Sequence, residues 1–95
     1  LLFIYMEELQ SKFDQVAKLV VNLQQQPTTD EKLQLYGLYK QVTVGNCNIS
    51  EPWTVQIEAK QKYNAWNKNK GMLKTTAIEK YILLALDLIK KYKLK

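Results

Sequence analysis

An all-α fold, a bundle of four helices, is predicted by three features of this sequence. Apolar residues recur at the 3.6-residue period of an α-helix in four separate segments. No segment shows the strict alternation of apolar and polar residues that is typical of a strand, and no internal repeat appears. A chain of 95 residues can bury one hydrophobic core but has no room for a second domain. We therefore expect a single domain over residues 1–95, with residues 1–7 as an N-terminal extension or a remnant of a preceding sequence.

The first helix is predicted from about residue 8 to about residue 24 by its apolar stripe. Ser11 and Asp14 have the spacing of a capping box near its start. Pro27 follows three glutamines and ends the helix, because proline disfavours the helical conformation in the residue before it. The preceding segment Leu1–Met6 is apolar, but it is too short to span a bilayer and lacks the features of a signal peptide. The stripe consists of Leu9, Phe13, Val16, Ala17, Val20 and Leu23.

The second helix is predicted over residues 29–43. Thr28 and Glu31 have the spacing of a capping box at its start. Gly45 is suited to the left-handed conformation that ends many helices. Residues 45–55 contain glycine, proline, asparagine and serine with little periodicity, so we expect a long ordered loop there.

Two further helices are predicted in the second half of the chain. The third begins near Val55 and ends where Asn67, Asn69 and Gly71 interrupt its pattern. The fourth begins near Thr76, which forms a candidate cap with Glu79, and its basic end complements the helix dipole. Its long apolar stripe consists of Ile78, Tyr81, Ile82, Ala85, Leu88, Ile89 and Tyr92.

The composition excludes several classes of function. The chain carries 14 basic and 9 acidic residues, a net charge of +5, which favours an anionic partner such as phosphate, nucleic acid or an acidic membrane. All of its cations are lysines, so the guanidinium fork that reads guanine edges is missing. Without histidine, the common nucleophilic pairs and a zinc site are excluded. The single cysteine, Cys47, cannot form an internal disulfide, which points to a reducing compartment such as the cytoplasm.

One stripe of the second helix combines apolar, aromatic and cationic side chains. Leu33, Tyr36 and Lys40 follow one another at helical spacing, with Tyr39 beside them. Bases stack on aromatic rings, and ammonium groups pair with phosphate. The stripe therefore suits a ligand that is part nucleotide, part phosphate and part hydrocarbon.

Two segments of the sequence resemble the signatures of the acyl-CoA-binding protein family. Residues 36–45 are similar to its Tyr-x-x-Tyr-Lys-Gln-x-Thr-x-Gly segment, and residues 60–67 are similar to its second signature. The resemblance covers about residues 11 to 93 without a gap. It implies an up-down-down-up four-helix bundle of the acyl-CoA-binding type. It also implies a non-enzymatic cytoplasmic carrier without a cofactor, which buffers medium- to long-chain acyl-CoA esters and delivers them to lipid-metabolising enzymes.

The resemblance also implies which residues bind the ligand. Tyr36, Lys40, Lys62 and Tyr81 match family positions that hold the 3′-phosphate and the neighbouring ribose, and Tyr39 matches the residue that stacks on adenine. Ala17 and Leu33 complete the expected acyl-CoA contacts on the apolar side of the site.

The chain also departs from the family at positions near the expected site. Val21 replaces a lysine of the first helix that contacts ligand in some members, and Lys32 replaces an apolar groove residue. Trp53 replaces the usual glycine after proline, where it either lies over the groove or packs loosely on the second helix. Tyr63 replaces the first tryptophan of the usual pair, and Trp66, the second, is expected in the core.

The outer faces of the first and fourth helices are predicted to be unusually apolar. Leu83, Leu84 and Leu86 lie within one turn of each other, and Leu19 is a candidate neighbour. We expect Leu1–Met6 to meet this surface, either within one chain or across a weak dimer. Alternatively, the surface makes transient contact with a membrane or a lipid enzyme.

Two other functions compete with that of an acyl-CoA carrier. One is a small helical nucleic-acid binder, whose affinity would fall steeply with salt concentration, and the other is an adaptor bundle that binds a partner protein.

Overall fold

The computed structural model describes all 95 residues and contains four α-helices without a β-strand. The helices are α1 (Leu2–Leu19), α2 (Thr29–Thr43), α3 (Ile57–Asn67) and α4 (Lys74–Tyr92). α4 packs against both α1 and α2, and α3 packs against α2. The predicted all-α, four-helix fold is confirmed. None of the helices combines the length and the apolar character needed to cross a membrane.

The predicted bounds of the first helix are wrong at both ends. α1 begins at Leu2, so Ser11 and Asp14 lie inside the helix rather than at its start. Their side chains accept hydrogen bonds from glutamines one turn away, at 3.4 Å from Gln15 Nε2 and 3.1 Å from Gln10 Nε2, and form no capping box. These early turns contact α4 through two side chains, since the Tyr5 hydroxyl donates to Glu79 Oε2 at 2.8 Å and the Thr75 hydroxyl donates to Met6 Sδ at 3.4 Å.

α1 also ends earlier than predicted because the chain after it pairs with the C-terminal tail. The backbone N–H of Gln24 donates to the carbonyl of Lys93 at 2.7 Å, and that of Lys95 donates to the carbonyl of Asn22 at 2.9 Å. Leu23 and Leu94 face each other in this antiparallel bridge. Backbone groups that pair with the tail cannot also continue the helix.

The second helix agrees with its prediction in both bounds and caps. The Glu31 N–H donates to Thr28 Oγ1 at 3.1 Å, and the Thr28 N–H donates to Glu31 Oε1 at 2.9 Å, which completes the capping box. Gly45 adopts φ +101°, a conformation that favours glycine, and its N–H donates to the Lys40 carbonyl at 3.1 Å. The loop that follows is held by Trp66, whose Nε1–H donates to the Gly45 carbonyl at 2.7 Å.

The fourth helix starts before its predicted cap. α4 begins at Lys74 after Leu73, whose side chain makes no capping hydrogen bond, so Thr76 and Glu79 lie inside the helix. The candidate cap is therefore wrong. The basic C-terminal end of α4 agrees with the prediction, because Lys90 and Lys91 occupy its last turn.

The core lies where α1 and α2 meet α4. The apolar stripes predicted for the first and fourth helices contribute most of it, with Ala17 and Ile82 only partly buried at its edge. The twelve buried members are Leu9, Phe13, Val16, Val20, Leu23, Leu38, Val42, Ala77, Ile78, Tyr81, Ala85 and Leu88.

Within one chain, Leu1–Met6 does not meet the outer face of α4 as expected, and a contact across a dimer stays a prediction. The Tyr5 hydroxyl donates to Glu79 Oε2 at 2.8 Å, which places the segment beside the beginning of α4 rather than beside Leu83 and Leu86. Leu83 and Leu86 remain 69% and 50% exposed, whereas Leu84 packs partly against the core. The reason is geometric: α1 continues as a regular helix to Leu2 and cannot fold back over the middle of α4.

Candidate functional site

A groove of about 820 Å³ lies between α1 and α2 and reaches α4 at Tyr81. Nine of its fourteen lining residues are hydrophobic, and the charged ones are Asp14, Lys18 and Lys32. Such a surface can hold a hydrocarbon chain while charged groups remain near its edge. The groove is lined by Phe13, Asp14, Ala17, Lys18, Val20, Val21, Leu23, Gln26, Pro27, Lys32, Leu35, Tyr36, Tyr39 and Tyr81.

Three aromatic rings from three helices form one wall of the groove. The ring centres of Phe13 and Tyr39 are 5.7 Å apart at an interplanar angle of 25°, and those of Phe13 and Tyr81 are 4.9 Å apart at 59°. Tyr39 is 42% exposed although it belongs to this cluster. A ring supported from below and open above is a suitable stacking surface for a flat ligand group.

Tyr81 carries a polar group that the chain itself leaves without a partner. Its side chain is 4% exposed and lines the groove, yet its hydroxyl makes no hydrogen bond within the chain. Burial, with a smaller contribution from Tyr39, raises the pKa of Tyr81 to about 12. The hydroxyl therefore keeps its proton at neutral pH and can donate to a ligand.

The hydroxyls of Tyr36 and Tyr39, like that of Tyr81, have no hydrogen-bond partner within the chain. Both residues line the groove, and neither hydroxyl appears in a hydrogen bond with another residue of the chain. By contrast, Tyr5 and Tyr92 each donate to a carboxylate. Three of the four tyrosines whose hydroxyls have no partner in the chain therefore line the groove, and the fourth, Tyr63, lies outside it.

The two lysines of the predicted site stand beside aromatic rings. Lys62 Nζ lies 5.8 Å from the centre of the Tyr36 ring and forms an exposed ion pair with Glu58 at 3.4 Å. Lys40 Nζ lies 4.8 Å from the ring centre of Trp66. Neither lysine lines the groove itself, but Lys62 joins it through Tyr36. The exposed ion pair of Lys62 with Glu58 contributes little, and Lys40 forms no ion pair, so both ammonium groups can pair with an anion of the ligand.

Of the seven predicted site residues, the groove lining brings together Ala17, Tyr36, Tyr39 and Tyr81. Lys62 lies next to it through Tyr36, Lys40 lies over Trp66 outside the lining, and Leu33 is half-buried outside the lining. The expected set did not include Lys18 on α1 or Leu35 on α2. The helical period could have found Lys18, which lies one turn after Asp14 and next to Ala17.

Trp53 does not line the groove, contrary to the first of its two alternatives. Its side chain is 80% exposed. Trp66 is 3% exposed and belongs to the interior, as predicted. Cys47 is a half-buried free thiol, and no cluster of three candidate metal ligands occurs.

The sequence and the fold are both similar to known proteins. A family model described as Acyl CoA binding protein matches residues 10–85. The acyl-CoA-binding protein of Dictyostelium discoideum is 55% identical over 80 residues, which cover 84% of this chain and 95% of the relative.

Two crystal structures have similar folds. Oryza sativa acyl-CoA-binding protein 2 superposes with a TM-score of 0.87 at 31% identity, over 90% of this chain and 94% of the other. The acyl-CoA-binding protein of Moniliophthora perniciosa gives a TM-score of 0.81 at 36% identity, over 90% and 85% of the two chains. Agreement in both sequence and fold over most of the length leaves little room for chance.

Proposed function

Because the chain belongs to the acyl-CoA-binding protein family, we propose that its groove holds one medium- to long-chain acyl-CoA ester. The observation that carries this proposal is the groove of mainly apolar lining in which three tyrosine hydroxyls have no partner within the chain. Apolar lining suits a hydrocarbon chain, and free hydroxyl donors suit phosphate and ribose oxygens.

The nucleotide end of the ligand is assigned to five residues. Tyr39 offers its exposed ring to adenine, and the hydroxyls of Tyr36 and Tyr81 donate to the 3′-phosphate and the ribose. Lys40 and Lys62 supply the opposite charge. Hydrogen bonds to charged groups are worth about 1.5–3 kcal/mol each, and stacking adds roughly 1–3 kcal/mol.

The acyl end is assigned to the apolar part of the groove. Ala17 lines it, and Leu33, half-buried on α2 outside the lining, is assigned to the same end of the ligand. Each methylene removed from water contributes up to ~0.8 kcal/mol, reduced by the cost of ordering the chain. Affinity is therefore expected to rise with acyl length until the groove is filled.

The protein acts as a carrier rather than an enzyme in this proposal. The groove contains no histidine, and its polar groups suit binding rather than nucleophilic attack. The carrier buffers acyl-CoA in the cytoplasm, delivers it to lipid-metabolising enzymes and needs no cofactor. The binding unit is one domain over residues 1–95.

Calorimetric titration with ligands of graded length tests the acyl assignment. Free coenzyme A is expected to bind much more weakly than octanoyl-CoA, and octanoyl-CoA more weakly than palmitoyl-CoA. Equal affinities for free coenzyme A and palmitoyl-CoA would exclude this function.

Variants Lys40→Ala and Lys62→Ala test the nucleotide assignment. Each is expected to weaken palmitoyl-CoA binding by about 1.5–3 kcal/mol, and to have little effect on palmitoyl-dephospho-CoA, which lacks the 3′-phosphate. A loss of the same size with both ligands would place these lysines elsewhere on the ligand.

A further inference from the structure

Two lysines that the site assignment leaves unused face the same groove. Lys18 on α1 and Lys32 on α2 both line it, and both are exposed. A long lysine side chain in this position lays its methylenes along the cavity and keeps its ammonium group at the rim. The two walls of the groove therefore each carry one cation at the edge.

Neither ammonium group is neutralised by the protein. The three ion pairs of the chain are Lys60–Glu51, Lys62–Glu58 and Lys91–Glu31, so no carboxylate lies within 4.0 Å of Lys18 or Lys32. Asp14 is the one acidic residue in the lining, and it already accepts a hydrogen bond from Gln10 at 3.1 Å. Two cations against one carboxylate leave the lining positive, which an anion would offset.

Lys32 lies too far along α2 from Lys40 to share the 3′-phosphate that is assigned to Lys40 and Lys62. Lys32, Tyr36 and Lys40 follow one another at intervals of four residues, so the backbones of Lys32 and Lys40 are about 12 Å apart along the helix. A ligand spanning this distance needs two anionic groups separated by several atoms. Coenzyme A carries a 3′-phosphate and a diphosphate in that relation.

We propose that Lys18 and Lys32 form a second cationic site, which clamps the diphosphate of the coenzyme from both walls of the groove. The inference rests on the proposed acyl-CoA function and adds a subsite to it. The diphosphate links the adenosine to the pantetheine arm and must pass the rim between the Tyr39 platform and the apolar part of the groove. Two ammonium groups on opposite walls can each contact one of its phosphates.

The test replaces the charge but keeps the hydrocarbon stem. Lys18→Met, Lys32→Met and the double variant are titrated with palmitoyl-CoA, palmitoyl-dephospho-CoA and S-palmitoylpantetheine, which lacks the diphosphate. The control variant carries Lys12→Met and Lys80→Met, two exposed lysines outside the lining, so that its net charge equals that of the double variant.

We expect each single change to weaken palmitoyl-CoA binding about fivefold and the double change about twentyfold, because exposed charge pairs are worth up to ~1 kcal/mol each. The same loss is expected with palmitoyl-dephospho-CoA, and none with S-palmitoylpantetheine. The control is expected to bind all three ligands as the unmodified protein does.

Each other result has a definite meaning. If the unmodified protein binds no palmitoyl-CoA, the proposed function itself fails. If it binds but the double variant matches the control, the second site does not exist. A loss that persists with S-palmitoylpantetheine would show that the lysines contact the acyl or pantetheine part, and a loss absent with palmitoyl-dephospho-CoA would show that they hold the 3′-phosphate. Both results would overturn the diphosphate assignment.

Discussion

Gly37 shows how a single residue sets the approach of two helices. A Cβ atom added there would overlap the backbone carbonyl of Ala65 on α3, at 2.7 Å from its carbonyl carbon. It would also lie 3.1 Å from Nδ2 of Asn69, a buried side chain. Because the obstacle is backbone, no change of rotamer relieves it. The lack of a side chain at this position allows α2 and α3 to pack closely.

Gly37→Ala is therefore expected to destabilise the protein. An alanine in place of glycine inside a helix ordinarily stabilises it by roughly 0.5–1 kcal/mol. Here we expect a net loss of about 1–3 kcal/mol, because the two helices must separate. Thr43→Ala, at an exposed position of the same helix, is the control and should stay within about 0.5 kcal/mol. Unfolding in denaturant measures both, and a more stable Gly37→Ala variant would contradict the packing argument.

The hydroxyls of Tyr81 and Tyr92 are expected to have different roles, the first in ligand binding and the second in stability. The Tyr81 hydroxyl has no partner in the chain, whereas the Tyr92 hydroxyl donates to Glu31 Oε1 at 2.5 Å. Tyr81→Phe is expected to leave the free energy of unfolding nearly unchanged and to weaken palmitoyl-CoA binding by about 0.5–1.5 kcal/mol. Tyr92→Phe should do the reverse. Thermal unfolding and calorimetry measure the two effects, and equal effects of both variants on binding would argue against a ligand role for Tyr81.

At the scale of elements, the beginning of α2 and the end of α4 are joined through one carboxylate. Glu31 accepts hydrogen bonds from the Tyr92 hydroxyl, from the Thr28 N–H at 2.9 Å and from Lys91 Nζ at 3.1 Å. The Tyr92 hydroxyl first, and then the Thr28 backbone, lower the pKa of Glu31 to about 2. One side chain thus serves both as helix cap and as a link between helices.

Acid is expected to break this link. A carboxyl group whose pKa is lower in the folded state contributes its full stability above the pKa of the unfolded chain and loses it as pH falls to the folded value. For Glu31 this window runs from its ordinary pKa of 4.5 down to about 2. The difference in unfolding free energy between the protein and Glu31→Gln should be constant near neutral pH and shrink across that window. A difference that does not change with pH would place the stabilisation elsewhere.

At the scale of the whole molecule, two exposed apolar surfaces lie away from the groove. One is the first turn of α1, where Leu1, Leu2 and Phe3 are all more than 70% exposed. The other is formed by Leu83 and Leu86 on α4. None of these residues lines the groove, so self-association through them and ligand binding are separable. We propose that they support a weak dimer at high concentration.

Two variants test whether these surfaces affect self-association without affecting ligand binding. Deleting residues 1–4, or replacing Leu83 with Glu and Leu86 with Lys, is expected to reduce self-association and to leave palmitoyl-CoA affinity within about twofold. Sedimentation over a wide range of concentration, together with calorimetry, measures both effects. If the unmodified chain is already monomeric throughout, these residues are ordinary surface.

The sequence by itself determined the helices whose boundaries depend on local chemistry. The capping box of Thr28 and Glu31 and the left-handed Gly45 delimit α2 as predicted, because their hydrogen bonds connect residues within a few positions of one another. The periodic apolar stripe likewise identified the core residues of α1 and α4, since helical spacing alone puts them on one face. The spacing of Tyr36 and Tyr39 was enough to place two of the groove residues together.

The tertiary structure decided what depends on contacts between distant parts of the chain. α1 ends earlier than predicted because the C-terminal tail pairs with residues 22–24, and near its start Tyr5 contacts Glu79, more than seventy positions away. Ser11 and Asp14 have capping spacing, but local spacing cannot reveal that the helix already began earlier. In the same way, only the folded chain shows that Lys18 and Lys32 line one groove and that the Tyr81 hydroxyl lacks a partner, because both facts depend on how α1, α2 and α4 pack together.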